Sequence, residues 1–98
     1  MSEESCRIDV WLWRARFFKT RALSAGFVEK GLPRLVRPGQ PEVRLDKPSR
    51  TVRPGDRLVF ALGGRVFDLV IEGCGERRGP AAEARTLYRT EDAPASAS

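Results

Sequence analysis

Five prolines stand between residues 33 and 54 of this 98-residue chain. Proline has no backbone N–H group to donate, and its ring clashes with the preceding helical turn, so a long helix cannot cross this region. Short strands separated by turns are expected there instead, around residues 34–36, 43–45 and 50–52. Helices are therefore confined to the two ends of the chain, which favours an α+β fold.

The clearest β signal follows the last of these prolines. Two runs of alternating apolar residues, 57–62 and 65–73, are separated by Gly63-Gly64. Two glycines between alternating runs predict a hairpin with a primed two-residue turn. The residues expected to share the inner face are Leu58, Phe60 and Leu62 on the first strand, and Phe67, Leu69 and Ile71 on the second.

The N-terminal part predicts a first helix from residue 8 or 9 to residue 18. Its apolar residues recur at helical spacing, and Asp9 suits the N-cap or the first turn, where a carboxylate meets free N–H groups. Trp13 and Phe17 lie on a second side of this helix. That side needs a neighbour, which is either another part of the chain, such as a C-terminal helix, or a partner.

A second helix is expected over residues 21–30. Thr20 suits its N-cap, and Gly31 suits the position that ends it. Its predicted core contacts are Leu23, Phe27 and Val28. A last helix is expected over residues 80–89, because Pro80 suits a first helical position.

Positive charge and aromatic rings are combined between residues 7 and 21. This segment holds five cationic side chains against one carboxylate, a local charge of +4, and four of the chain's eight aromatic residues. Cations interleaved with aromatics suit a polyanion whose units also carry flat faces. RNA fits that description better than a membrane or an acidic protein does.

Charge over the whole expected domain is also positive. Residues 7–89 contain 18 basic and 9 acidic groups, a net charge of +9, and 15 of the cations are arginine. Arginine forms planar, bidentate contacts with phosphate. A genome preference for arginine codons is an alternative explanation of the total, so the cluster at residues 7–21 is the stronger indication.

Catalysis finds little support in the sequence. The chain has no histidine, no glycine-rich phosphate loop with lysine and no recognisable pair of catalytic carboxylates. We therefore expect no enzymatic activity, no cofactor and no metal. Asp9 is expected to be a cap or an arginine partner, and Asp56 to order the backbone around its turn. Cys6 and Cys74 are expected to be free thiols without a role.

Composition predicts one domain over residues 7–89, flanked by disordered tails at 1–6 and 90–98. No apolar run approaches the roughly 20 residues that span a bilayer, and the N-terminus does not resemble a secretory signal. A cytoplasmic monomer without membrane contact is therefore expected.

An ordered set of motifs resembles the S-four RNA-binding domain, first recognised in small-subunit ribosomal protein four. The matching positions are Arg7-Ile8-Asp9, Leu12, Arg16-Phe17, Lys19-Thr20-Arg21-Ala22, Gly31, Lys47-Pro48-Ser49 and Gly55-Asp56. The heat-shock protein fifteen branch of that family is the closer resemblance. The positions that indicate this branch are Trp11-Leu12-Trp13, residues 16–21, residues 77–84 and Leu87-Tyr88.

This resemblance implies a two-helix RNA-binding unit packed on a small, mostly antiparallel sheet, with a C-terminal helix and no catalytic activity. For the branch it implies a heat-shock or stress-response protein that binds ribosomal RNA on the large ribosomal subunit, particularly on subunits stalled with a nascent chain on transfer RNA. The residues predicted to contact RNA are Arg7, Arg14, Arg16, Lys19, Thr20, Arg21, Lys47, Ser49 and Arg50. The prediction for Arg14 depends on the charge cluster alone, because this residue does not match a family position.

Two departures from the family pattern affect the expected RNA surface. Val10 stands where the family commonly has a basic residue, and the Asn-Gly turn expected after the second helix is absent. Arg34, Arg37 and Arg44 are candidates to supply charge in that region. Arg77 and Arg78 are either a second phosphate contact or an exposed polar turn.

Two other classes of function stay open at this point. The Trp13/Phe17 face is a candidate for binding a protein, which would make the chain a protein-interaction module. The chain is also a candidate accessory domain that assists an RNA-modifying enzyme in trans.

Overall fold

The computed structural model describes residues 4–90 of the chain. Its helices are α1 (Ile8–Arg14), α2 (Arg21–Glu29) and the short α3 (Ala81–Ala84), which continues as a 3-10 turn over Arg85–Leu87. Its strands are β1 (Cys6–Arg7), β2 (Arg34–Val36), β3 (Val43–Arg44), β4 (Thr51–Val52), β5 (Arg57–Leu62), β6 (Arg65–Ile71) and β7 (Tyr88–Thr90). This content confirms the predicted α+β class.

The main sheet has five antiparallel strands in the order β3-β2-β5-β6-β7, and β1 pairs separately with β4. The β5–β6 hairpin is the one predicted from the sequence, with Leu58 opposite Leu69. Gly63 and Gly64 have φ angles of 61° and 80°, as a primed turn with two left-handed residues requires. Among the described residues, no helix is long and apolar enough to cross a bilayer.

One apolar core joins the helices to the sheet. The fully buried side chains of α1 are Ile8, Trp11 and Leu12, and they belong to the same cluster as Leu58 and Leu69 of the hairpin. The apolar spacing of α1 therefore predicted its inner face correctly. Because β5 and β6 alternate in and out, one face of this hairpin is free to carry charged side chains.

Helix α1 ends at Arg14, four residues before the predicted end. The N–H of Phe17 donates to the carbonyl of Leu12 over 3.0 Å, and the N–H of Arg16 donates to that of Trp13 over 3.0 Å. This pair of bonds is a Schellman motif, with Arg16 at the left-handed position that glycine usually occupies. The φ of Arg16 is 68°. No glycine marks this end of the helix, so the sequence pattern overestimated its length.

Helix α2 follows its prediction closely. The Thr20 hydroxyl accepts a hydrogen bond from the N–H of Leu23 over 3.1 Å, which confirms the cap. Gly31, with φ of 72°, ends the helix as expected. Leu23 was wrongly assigned to the core, since it is 56% exposed. Ser24 is buried in its place, and its hydroxyl donates to the carbonyl of Asp9 over 2.8 Å.

Both ends of the described chain contain a strand that the sequence did not predict. The predicted C-terminal helix stops at Leu87, because residues 88–90 pair with β6 as β7. The predicted N-terminal tail extended to residue 6, whereas Cys6 pairs with Val52. The carboxylate of Glu4 also accepts a bond from the N–H of Cys74 over 2.7 Å. Residues 1–3 and 91–98 of the two predicted tails lie outside the described residues.

Asp56 orders the backbone between β4 and β5, as the sequence predicted. It is 1% exposed and accepts two hydrogen bonds from Arg37, at 2.8 and 2.7 Å, and a third from the N–H of Arg53 at 3.0 Å. The bond to this carboxylate raises the pKa of Arg37. A buried charge requires such partners, because its desolvation is costly.

Cys6 and Cys74 are free thiols, as predicted. Burial raises the pKa of both, and a hydrogen bond between the two side chains raises that of Cys6 further. A thiol with a raised pKa carries little of the thiolate that reacts as a nucleophile. These side chains therefore pack beside β4 as small apolar groups.

Removal of the Asp56 carboxylate tests whether this buried side chain stabilises the backbone between β4 and β5. We expect Asp56→Ala to lower the free energy of unfolding by about 2–3 kcal/mol, because it abolishes charge-assisted bonds in a buried site. Asp68→Ala is the matched control. Asp68 also has two bonds to one arginine, Arg57, but on the exposed side of the hairpin, where a pair contributes less than about 1 kcal/mol. Equal losses in urea unfolding would contradict this assignment.

Candidate nucleic-acid interface

The start of α1 is held by the turn that precedes β4. The N–H of Ile8 donates to the carbonyl of Arg50 over 2.8 Å, and the N–H of Asp9 donates to that of Pro48 over 3.3 Å. These bonds satisfy two of the N–H groups that a helix start leaves without acceptors. They also bring Lys47, Ser49 and Arg50, which are exposed, next to Arg7.

The start of α2 lies beside this turn. The bond from Ser24 to the carbonyl of Asp9 joins the first turn of α2 to the first turn of α1. Lys19, Thr20 and Arg21, at the N-terminal end of α2, are all exposed. Seven of the predicted RNA-contact residues thus form two neighbouring groups, and we call this region the helix-start corner: Arg7, Lys47, Ser49 and Arg50 at the start of α1, and Lys19, Thr20 and Arg21 at the start of α2.

Within the helix-start corner, Arg7 is the cation with a carboxylate partner. Its guanidinium donates to both oxygens of Asp9, at 3.0 and 2.9 Å. Its side chain remains 48% exposed while that of Asp9 is 4% exposed. The arginine-partner role expected for Asp9 is therefore confirmed, and Arg7 keeps an open side toward solvent.

Arg14 and Arg16 point elsewhere, toward the loop between β6 and α3. Arg14 donates to the carbonyls of Gly75 at 2.8 Å and Cys74 at 3.4 Å. Arg16 donates to the carbonyl of Gly79 at 2.8 Å. The structure therefore separates these two predicted contact residues from the other seven, and Arg14, which is half-buried, supports the loop.

Several arginines of the sheet and the C-terminal loop form ion pairs with carboxylates, whereas the cations of α2 and of residues 44–50 form none among the described residues. The paired arginines outside the corner are Arg34, Arg37, Arg57, Arg77 and Arg89. In the part of the chain that the structure describes, no ion pair involves Lys19, Arg21, Lys30, Arg44, Lys47 or Arg50. α2 and residues 44–50 therefore carry unpaired positive charges that can attract a polyanion.

The three arginines that were candidates to supply positive charge near the altered loop make different contacts. Arg34 pairs with Glu42 and Arg37 with Asp56, so neither charge is available without breaking a pair. The Arg44 side chain packs over Gly31, with Nε 3.2 Å from the position of an added Cβ. Arg44 therefore extends the unpaired cations to the C-terminal end of α2.

An apolar groove runs along the exposed side of α2. Its volume is about 310 Å³, and its lining is formed by Phe18, Ala22, Leu23, Gly26, Phe27 and Lys30. Phe18 and Phe27 pack against each other with ring centroids 5.0 Å apart. The sequence analysis missed this groove because it placed Leu23 in the core and did not anticipate that Phe27, which does pack against the core, is only partly buried. Helical spacing alone does not show which apolar residues a neighbour covers.

Phe17 acquires an internal neighbour, one of the two alternatives left open by the sequence, although it lies beyond the end of α1 at Arg14. The Phe17 ring packs against those of Phe60, Phe67 and Tyr88, each with a centroid separation of 5.2 Å. Tyr88 follows the C-terminal helix, which was the expected location of the neighbour. Phe17 therefore packs against the core as a partly buried ring, and Trp13 is half-buried.

Comparison with known proteins identifies related proteins in several bacteria. No protein-family model matches the chain. Heat shock protein 15 of Escherichia coli K12 is 38% identical over 82 residues, which cover 84% of this chain and 57% of that protein. The heat shock protein 15 homolog of Haemophilus influenzae is 32% identical over 89 residues, covering 91% and 63%. The chain thus spans about three fifths of the length of these curated relatives.

A solved structure agrees in both fold and sequence. Heat shock protein 15 of Vibrio cholerae, described as trimeric, superposes with a TM-score of 0.73 and is 39% identical to this chain. The match covers 89% of this chain and 82% of that one. Identity at this level over most of both chains establishes common descent and a common fold: the chain belongs to the heat shock protein 15 family.

Proposed function

We propose that this protein is a non-enzymatic RNA-binding protein that docks on ribosomal RNA of the large ribosomal subunit. In this proposal it aids the recycling of stalled subunits that carry a nascent chain on transfer RNA. The observation that carries the proposal is the set of unpaired cations at the helix-start corner and along α2. The heat shock name of its relatives supports a role under stress.

The helix-start corner suits the phosphate backbone of a folded RNA. Lys47 and Arg50 lie at the start of α1, while Lys19 and Arg21 lie at the start of α2, where a helix dipole also favours negative charge. These cations give up no internal ion pair on binding. Phosphate contacts of this kind supply affinity and orientation with little sequence preference.

The groove on α2 adds an apolar surface to these positive charges. Ala22, Leu23 and Phe27 of its lining lie in the same helix as Arg21, while Phe18 precedes that helix and Lys30 follows it. Unpaired bases of RNA stack on aromatic side chains, whereas a fully paired duplex hides its bases. A cationic rim around an apolar groove therefore favours structured RNA with exposed bases over an acidic protein surface.

Sedimentation of cell extract tests the partner. We expect the protein to co-migrate with free large subunits at low salt and to leave them as salt rises, because phosphate contacts weaken with ionic strength. Nuclease treatment of the extract should also release it. A protein that stays at the top of the gradient in every condition would contradict docking on the ribosome.

The salt dependence of RNA binding tests the mode of recognition. If five or six phosphates are contacted, the slope of log affinity against log salt should be roughly −4 to −5, at about 0.7 to 0.9 per contact. Fluorescence anisotropy with purified protein and a labelled hairpin from large-subunit ribosomal RNA gives this slope. A slope near zero would exclude an electrostatic mode.

Two arginine variants separate binding from folding. Arg21→Gln should reduce the salt slope by roughly one contact and leave the melting temperature unchanged, because Arg21 is exposed and has no ion pair in residues 4–90. Arg14→Gln removes the same charge but also the bond to Gly75, and should lower stability by about 1–3 kcal/mol. Equal effects of the two variants on melting would contradict these roles.

A further inference from the structure

A second cavity lies on a different part of the protein from the helix-start corner. It has a volume of about 240 Å³ and sits between the end of α1 and the C-terminal segment. Its lining consists of Ala15, Arg16, Phe17, Ala81, Ala84, Arg85 and Tyr88. Three of these residues are alanines, so the space between the two arginines is not filled by side chains.

Arg16 lines this cavity from a strained backbone position. Its φ of 68° is the left-handed conformation in which glycine is favoured, and residues with a Cβ are disfavoured. The guanidinium is tethered by one nitrogen, Nη1, which donates to the carbonyl of Gly79 over 2.8 Å. A folded chain retains such strain at sites where a side chain has a use that glycine cannot replace.

Arg85 lines the cavity from the 3-10 turn after α3. Within residues 4–90 it has no carboxylate partner, and the lining contains no acidic residue. Glu83, the nearest carboxylate in sequence, pairs instead with Arg77 at 2.9 Å. Tyr88 adds a hydroxyl group and a ring to the lining. No carboxylate therefore lines the cavity, although the Glu83 side chain packs on Gly79, whose carbonyl binds Arg16.

We propose that this cavity binds a phosphate group between Arg16 and Arg85. The inference extends the proposed RNA-binding function and rests on it for the source of the phosphate, either an internal phosphodiester or a terminal phosphate monoester of an RNA chain. Two guanidinium groups suit phosphate because each offers paired N–H donors in a planar fork.

Titration with inorganic phosphate, followed by backbone amide shifts in NMR, tests the site directly. Saturable shifts are expected at Ala15, Ala84 and Tyr88. Ala81→Glu places a carboxylate in the lining and should abolish them. Ala82→Glu is the matched control, since it adds the same charge to the same helix at an exposed position outside the lining, and it should preserve them. Shifts that survive in Ala81→Glu would overturn the proposal.

Arginine variants provide an independent check on the site. Arg85→Gln should abolish the phosphate shifts, whereas Arg65→Gln, which removes the same charge at the hairpin tip, should retain them. Arg16→Gly relieves the left-handed strain but also removes the bond to Gly79, so the two effects on the melting temperature oppose each other while phosphate binding is lost. A parent-like titration of Arg16→Gly would show that this residue serves only the helix end.

The source of the phosphate can be identified by measuring the binding of a labelled single-stranded RNA that carries either a 5′-phosphate or a 5′-hydroxyl end. Tighter binding of the phosphorylated form, lost in Arg85→Gln, identifies a terminal phosphate. Equal binding of the two forms, with a salt slope reduced by about 0.7 to 0.9 in Arg85→Gln, identifies an internal phosphodiester. Parent-like RNA binding by Arg85→Gln and Ala81→Glu would refute this cavity as an RNA contact while leaving the helix-start corner intact.

Discussion

Three side chains in or just after α1 hold the loop that follows β6 in place. Trp11, Arg14 and Arg16 each donate a hydrogen bond of 2.8 Å to a backbone carbonyl of one loop, at Gly73, Gly75 and Gly79 respectively. This loop has no helix or strand of its own to satisfy its carbonyls, and unsatisfied backbone groups near a core are costly. The position of α3, and with it the cavity between Arg16 and Arg85, depends on these bonds.

Local signals were sufficient to predict much of the fold. Thr20 and Gly31 delimit α2 because capping acts within one helical turn, and Gly63-Gly64 fixes the β5–β6 hairpin because only a primed turn suits those strands. The inner faces of α1 and the hairpin follow from spacing. The predicted charge cluster likewise placed Lys19, Thr20 and Arg21 on exposed positions at the start of α2.

The features that the sequence did not predict depend on contacts between distant parts of the chain. Nothing local distinguishes Arg14, whose donors meet a loop 60 residues away, from an exposed arginine. Arg16 ends α1 in a conformation that glycine normally signals, and Cys6 becomes a strand residue only because Val52 is its partner. The resemblance predicted Lys47, Ser49 and Arg50 as contact residues, but not the backbone bonds from Ile8 and Asp9 that fix their turn beside α1.

The distribution of ion pairs separates the arginines that stabilise the fold from the cations that remain available to the proposed polyanion. Carboxylates of the sheet and the C-terminal loop neutralise the arginines beside them, and the buried Asp56 fixes Arg37 within the fold. Repulsion is thus reduced where strands bring cations together, while Lys19, Arg21, Lys47 and Arg50 remain unpaired near two helix starts. Binding an RNA there would relieve the remaining repulsion without breaking any internal pair, so the same arrangement that keeps the folded state stable also favours association.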